Sequence, residues 1–224
     1  MKTKILMLAN ILLVLFLAGC SGGAVPVSAQ AATATTAVST QVPSSNATAQ
    51  STQSIEAQPV VCAKPAALTP AVTEGPYFKA NSPERSSLLD VGVTGTKLTL
   101  TGYVLTANCQ PVAHALLDFW QANAQGQYDN SGYTLRGHQY TDANGYYHLE
   151  TIVPGLYPGR TEHIHVKVEA QGGSILTTQL FFPGTSENQS DSIYDKKLLM
   201  GMKSTAAGEQ GSYNFIIAGS GSSY

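Results

Sequence analysis

The chain has 224 residues, with 12 Lys or Arg, 14 Asp or Glu and a formal net charge of −2. Charged residues make up only 12% of it, which excludes a basic nucleic-acid binder and a highly charged disordered chain. Its 21 Gly and 11 Pro follow no Gly-X-Y period, so a collagen-like rod is excluded too.

In chain order, Lys2 and Lys4 precede an apolar run from Ile5 to Leu17, broken only by Asn10, and Leu17-Ala-Gly-Cys20 follows. A charged head, a short apolar run and a small-residue cleavage region mark an export signal. The run is too short for a comfortable membrane span. The Leu-Ala-Gly-Cys ending resembles a bacterial lipoprotein signal. It implies removal of residues 1–19, a lipid on Cys20 and anchoring at the outer face of a bacterial membrane. Residues 20–60 are rich in Ala, Ser, Thr and Gln, carry no aromatic residue, and have Glu56 as their only charge. Such a segment cannot bury enough surface to offset chain entropy and reads as a disordered tether.

Residues 61–224 are left as one domain. Cys62 and Cys109 are the remaining cysteines, and the oxidising conditions met by an exported chain predict a disulfide between them. It would pin the start of the domain to the loop after its first strand. Lys97–Leu105 alternates with Leu98, Leu100 and Val104 on one face. Ala113–Gln121, Tyr146–Ile152, His163–Glu169, Ser174–Phe182 and Tyr213–Ala218 read as further strands. Turn residues separate them: Asn108 to Pro111, Asp142 to Gly145, Pro154-Gly155, Gly172-Gly173 and Pro183-Gly184. Only Asp191–Met202 could hold a short helix. Short strands at this spacing predict an all-β, antiparallel sandwich or barrel.

His163 and His165 are two apart on a predicted strand, so both imidazoles project from the face opposite Ile164 and Val166. Alone, a His-x-His pair is equally a pair of hydrogen-bonded surface histidines. Glu169 lies on the same face, as in the core of a cupin metal motif, but Tyr157 and Leu176 stand where that motif has glycines.

The wider context is more specific. Thr69-Pro-Ala-Val-Thr-Glu-Gly-Pro-Tyr-Phe78, Trp120-Gln-Ala-Asn-Ala-Gln-Gly-Gln-Tyr128, Tyr140-Thr-Asp-Ala-Asn-Gly-Tyr-Tyr147, Thr151-Ile-Val-Pro-Gly-Leu-Tyr-Pro-Gly-Arg160, His163-Ile-His165 and Thr178-Gln-Leu-Phe-Phe182 follow one another in order. Together they resemble the intradiol ring-cleavage dioxygenases over most of residues 62–185. The turn at Asp142–Gly145 and the Pro-Gly-Leu-Tyr corner are shared with transthyretin-like sandwich domains, often structural or adhesive. The His-x-His pair and the upstream Tyr128 distinguish the two readings.

The resemblance implies a non-haem Fe(III) held by Tyr128, Tyr157, His163 and His165. It also implies cleavage of a catechol-type ring by O2 to a muconate-type diacid. Tyr157 would act as a proton acceptor that leaves the metal. Arg160 would stabilise negative charge on the substrate, and Gln179 would orient it. Tyr133, five residues after Tyr128, is a rival for its place. Pro76 and Tyr77 would form one wall of the pocket, Gly159 would widen it, and Trp120 reads as core packing. The partners implied are an aromatic diol, O2 and, through Cys20, a membrane. The ring substituent and the oligomeric state stay open, a monomer included.

Overall fold

The structure, a computed structural model, describes residues 62–219. The expected signal peptide, Cys20 and the expected tether lie outside the described residues. Among the described residues no helix is long and apolar enough to cross a membrane.

The fold is a β-sandwich. Nine strands run in chain order: β1 Lys97–Thr106, β2 Leu116–Trp120, β3 Arg136–Tyr140, β4 Tyr146–Ile152, β5 His163–Glu169, β6 Leu176–Phe181, β7 Gly201–Thr205, β8 Gly208–Ser212 and β9 Phe215–Ile217. One sheet has the order β3-β2-β5-β6 and is antiparallel throughout. The other has the order β4-β1-β8-β7, with β9 also paired to β1. Here β1 is antiparallel to β4 but parallel to β8 along its first half and to β9 along its second.

That split partnership rests on close backbone approach. Between β8 and β9, Tyr213 O lies where a Cβ on Gly102 would come within 1.8 Å, so β1 needs glycine there. Asn214 Oδ1 accepts the Tyr103 N–H at 3.0 Å, and Tyr147 Oη–H donates to Tyr213 O at 2.9 Å. The side chain and the phenol thus satisfy backbone groups that the strand break leaves without a ladder partner.

The alternation read from the sequence sets the inner faces. Leu98, Leu100, Leu149 and Phe215 from one sheet share a core with Leu117, Phe119, Ile164, Val166, Val168 and Leu180 from the other. Strands β4 and β5 keep the predicted bounds, and β2, β6 and β9 are shorter than predicted. Three strands carried no readable pattern. Strand β3, Arg-Gly-His-Gln-Tyr, holds no aliphatic residue. Strands β7 and β8 form a polar, largely exposed hairpin around Ala206-Ala207. The helix expected over Asp191–Met202 is a single 3-10 turn, Lys196–Leu198, capped by Asp195 and followed by β7. Its Leu198 turns inward, but no apolar stripe of helical period extends the turn.

Cys62 and Cys109 are bonded, with Cα atoms 5.9 Å apart and a sequence separation of 47. Replacing both with Ser is expected to cost roughly 2–4 kcal/mol, because the closed loop no longer restricts the unfolded chain. Urea unfolding of the double variant against the native chain measures it. An unchanged midpoint would show that the crosslink does not stabilise the fold.

Candidate metal centre

One row across the four-stranded sheet carries much of the site. Trp120 is paired with Arg136 on one side and with His165 on the other, and His165 is paired with Gln179. Directly paired residues share a sheet face. Arg136, Trp120, His165 and Gln179 therefore line up on the face away from the core, with His163 one step along β5 on the same side. Trp120 is buried, as expected, but it packs toward the site. Its indole stacks on the His165 ring at 4.7 Å between centroids and an interplanar angle of 9°.

Tyr128 and Tyr157 arrive on two loops locked together by glycines. A Cβ on Gly126 would lie 2.0 Å from Leu156 O, and one on Gly155 would lie 2.3 Å from Ala124 O. Gly155 N–H donates to Asn123 O at 2.8 Å. The two backbones touch where a side chain would hold them apart.

Three donor atoms form a closed triangle. Tyr128 Oη lies 3.2 Å from His163 Nε2 and 3.2 Å from His165 Nε2, and the two nitrogens are 3.0 Å apart. Neighbouring donors around one cation bound at about 2.0–2.2 Å have that kind of spacing. His163 Nδ1–H donates to Thr161 O at 2.7 Å, so Nε2 carries the free lone pair. His165 Nδ1 is buried with no hydrogen-bond partner. Burial pushes His163 down to about 4, and burial followed by the neighbouring His163 and arginine charges puts His165 well below its ordinary value. Both imidazoles are neutral ligands near neutral pH. Burial raises the Tyr128 phenol, against the opposing charges of Arg160 and Arg136. Its ionisation therefore calls for a cation close by.

Tyr157 is held differently. Its Oη is hydrogen-bonded to Tyr77 Oη at 2.9 Å. Tyr77 stacks on Tyr128 at 4.4 Å and 13°, and the Tyr157 ring stands edge-on to both. Three phenols thus meet beside two imidazoles. Tyr133, the rival for Tyr128, donates its Oη–H to Ala80 O from an exposed position and takes no part in the triangle. Among the described residues no group of three or more His, Cys, Asp or Glu converges as a metal site. A cation here must take phenolate oxygen, and hard anionic oxygen with imidazole suits a ferric ion.

Arg160 and Gln179 are joined. Arg160 Nη2–H donates to Gln179 Oε1 at 2.6 Å, and Gln179 Nε2–H donates to Thr73 O at 2.8 Å. Residues 73–78 cover the row. A Cβ on Gly75 would sit 3.4 Å from His165 Cε1, and Gly75 already has a φ of +72°. Lys167 holds this segment through an ion pair to Glu74 and a cation–π contact over Phe78 at 3.4 Å.

Sequence reading missed Arg136, which is only 1% exposed. Its donors end on backbone carbonyls: Nη1–H on Tyr77 O at 2.6 Å, Nε–H and Nη2–H on Asp129 O at 3.2 and 3.0 Å. It ties the segment bearing Tyr77 to the segment following Tyr128. Its signal was an Arg inside Leu135-Arg-Gly137, where no strand pattern was visible.

The family model described as "Dioxygenase" matches residues 73–218. The chain belongs to the intradiol ring-cleavage dioxygenase family. The cupin reading of His163, His165 and Glu169 is thereby set aside. Among curated relatives, catechol 1,2-dioxygenase of Acinetobacter baylyi is 30% identical over 155 residues, 56% of this chain and 50% of its own length. Protocatechuate 3,4-dioxygenase beta chain of Burkholderia cepacia is 36% identical over 108 residues, covering 40% and 46%. The chain spans about half the length of these relatives. Among solved structures, the dioxygenase domain of a dioxygenase–carbohydrate-binding fusion from Streptomyces sp. SirexAA-E is 50% identical with a TM-score of 0.67, covering 68% of this chain and 99% of that one. An intradiol ring-cleavage dioxygenase from Tetranychus urticae is 28% identical with a TM-score of 0.63, covering 68% and 94%.

A pH dependence follows for the metal-free dioxygenase domain. His163 titrates near 4 when folded and near its ordinary 6.5 when unfolded. Between those values the unfolded chain holds more protons, so stability falls as the pH drops through that window. Urea midpoints of the metal-free domain across it are expected to decline toward acid, and to decline less steeply in a His163→Gln variant, in which only the buried His165 still contributes.

Proposed function

We propose that this dioxygenase-family chain is an Fe(III)-dependent enzyme that cleaves a catechol-type ring with O2, on the intradiol bond, to a muconate-type diacid. The observation that carries it is the Tyr128–His163–His165 triangle, with Tyr157 hydrogen-bonded to Tyr77 beside it. The donor set fits a ferric ion: two neutral imidazoles aimed by their surroundings and two phenols able to ionise against it.

Fe(III) held by Tyr128, Tyr157, His163 and His165 would bind the diol through both oxygens and withdraw electron density from the ring. The residues supply the rest. Tyr157 Oη would accept a proton from a diol hydroxyl and so give up its place as a ligand, and Tyr77 Oη is placed to receive its hydrogen bond. Tyr128 stays, held by stacking on Tyr77 and by the loop that Arg136 ties down. Arg160 stabilises negative charge on the ring oxygens, with its guanidinium fixed by Gln179. Trp120 and the 73–78 segment back His165 and keep water from it.

On the sequence of residues 1–60, the enzyme is exported and carried on a lipid at Cys20 at the outer face of a bacterial membrane. Cys20→Ser is expected to move the protein from the detergent phase to the aqueous phase. Partitioning that does not change with the substitution would refute the anchor.

The two tyrosines provide the central test. The iron-loaded chain is expected to show a tyrosinate-to-iron charge-transfer band, to consume O2 with catechol, and to release a product heavier than substrate by one O2. Tyr157→Phe should keep iron, lose part of the band and lower kcat by about 10²–10⁴-fold, the range for removal of a general base. Tyr128→Phe should also lose iron. Iron content and spectra of both variants decide it, and a spectrum that neither substitution alters would rule out the tyrosinate site.

A further inference from the structure

Arg160 stands in an irregular stretch between Tyr157 and β5, just after Gly159, whose φ is +79°. A long, rotamer-rich side chain on such a loop would ordinarily sample many orientations. Here two groups from different parts of the fold hold its guanidinium. Nη2–H donates to Gln179 Oε1 at 2.6 Å, and Nε–H donates to Asp191 Oδ2 at 2.8 Å. Gln179 is on strand β6, in the same row as His165. Asp191 lies beyond the 3-10 turn Ser186–Gln189, in a segment the sequence did not connect to the site.

The Asp191 side chain is 1% exposed, and both of its carboxylate oxygens accept hydrogen bonds. Besides Arg160 it accepts the Thr161 N–H on Oδ2 at 3.0 Å and the Ile193 N–H on Oδ1 at 2.9 Å. Burial alone would raise its pKa, but these backbone donors and Arg160 outweigh that and hold it below its ordinary value. The segment around it is anchored as well. Asn188 Nδ2–H donates to Phe182 O at 2.9 Å, and Asn188 Oδ1 accepts the Thr161 hydroxyl at 2.6 Å.

We propose that Asp191 is the positioning residue for substrate charge in this enzyme, holding the Arg160 guanidinium against Gln179 so that its free edge is already set when the diol binds. The inference rests on the dioxygenase reading. A donor fixed before the reaction stabilises developing charge without reorganising at that moment. Nε and Nη2 are committed to anchors, which leaves Nη1 and the guanidinium face for the substrate. A purely structural Asp191 would need only its two backbone bonds, and its loss would then cost the same whether or not residue 160 is arginine.

The test uses the full chain loaded with iron and assayed with catechol. Asp191→Asn is expected to lower kcat by about 10²-fold, the scale for losing one aimed donor. KM, iron content and anaerobic catechol binding should stay within about threefold, since neither the metal ligands nor their order of binding changes. In an Arg160→Met background the same substitution should cost less than about twofold, because the two residues act as a unit. Native kcat in Asp191→Asn, or an equal loss in both backgrounds, overturns the proposal. Arg160→Lys covers the case in which Asp191→Asn does not fold. It keeps the charge but cannot reach Asp191 and Gln179 together, so its kcat should fall to within about threefold of Arg160→Met. Near-native kcat in Arg160→Lys overturns the proposal too. Absence of turnover in the iron-loaded native chain would instead remove the dioxygenase reading, whereas an active native chain with insensitive variants removes this inference alone.

Discussion

The register of the antiparallel four-stranded sheet is the constraint on which the site depends. Pairing Arg136 with Trp120, Trp120 with His165 and His165 with Gln179 puts a buried cation, a stacking surface, an imidazole and a buried amide in one line on one face. Because side chains alternate, a slip of one residue in β5 would send Ile164 and Val166 to the outer face and both histidines into the core. The core thus enforces the face that carries the histidines. Burying Ile164, Val166 and Val168 against the other sheet leaves the histidines only one direction to point.

The loops are bound to that row by polar contacts as well as by the packing of Phe78 on Trp120. Arg136 reaches two backbone carbonyls on either side of the Tyr77–Tyr128 stack. Gln179 reaches Thr73 O, and Lys167 bridges Glu74 and Phe78. The Arg136 and Gln179 donors end on backbone carbonyls, which lets a sandwich keep charge beside its outer face without leaving it unpaired. Glycines at 126 and 155 allow the two tyrosine loops to meet backbone to backbone. The outcome is asymmetric: Tyr128 is stacked and closes the triangle with both histidines, whereas Tyr157 leans on another phenol at its edge.

That asymmetry supports the proposed roles, Tyr128 as the firmly held phenol and Tyr157 as the proton acceptor. Arg160 shows the same economy. It stands on a loop with little regular structure, yet its orientation is set by a strand residue and by a carboxylate from a distant turn. A mobile-looking segment can carry a rigid group when its anchors belong to the ordered parts of the fold.

Period-two alternation in Lys97–Leu105, Tyr146–Ile152 and His163–Glu169 was enough to indicate an all-β sandwich or barrel, the inward faces and the side on which His163 and His165 project. Alternation is a local property and survives in the folded sheet. The motif order around Tyr128, Tyr157 and His163 also identified the family, because several spaced chemical motifs in one order seldom coincide by chance. Strand β3 and the β7–β8 hairpin were not legible. Their residues are polar or small, and the pairing partner supplies the strand geometry. Nor were Arg136, the Tyr77–Tyr157 bond and Asp191 assigned to the site in advance. Asp191 meets Arg160 across 31 residues of sequence, and Tyr77 meets Tyr157 across 80, so no local pattern records either contact. Only the tertiary structure decided which of the tyrosines touches the histidines, which rests on Tyr77, and what holds the arginine, because those distances are set by how loops close over a sheet whose register the core has already determined.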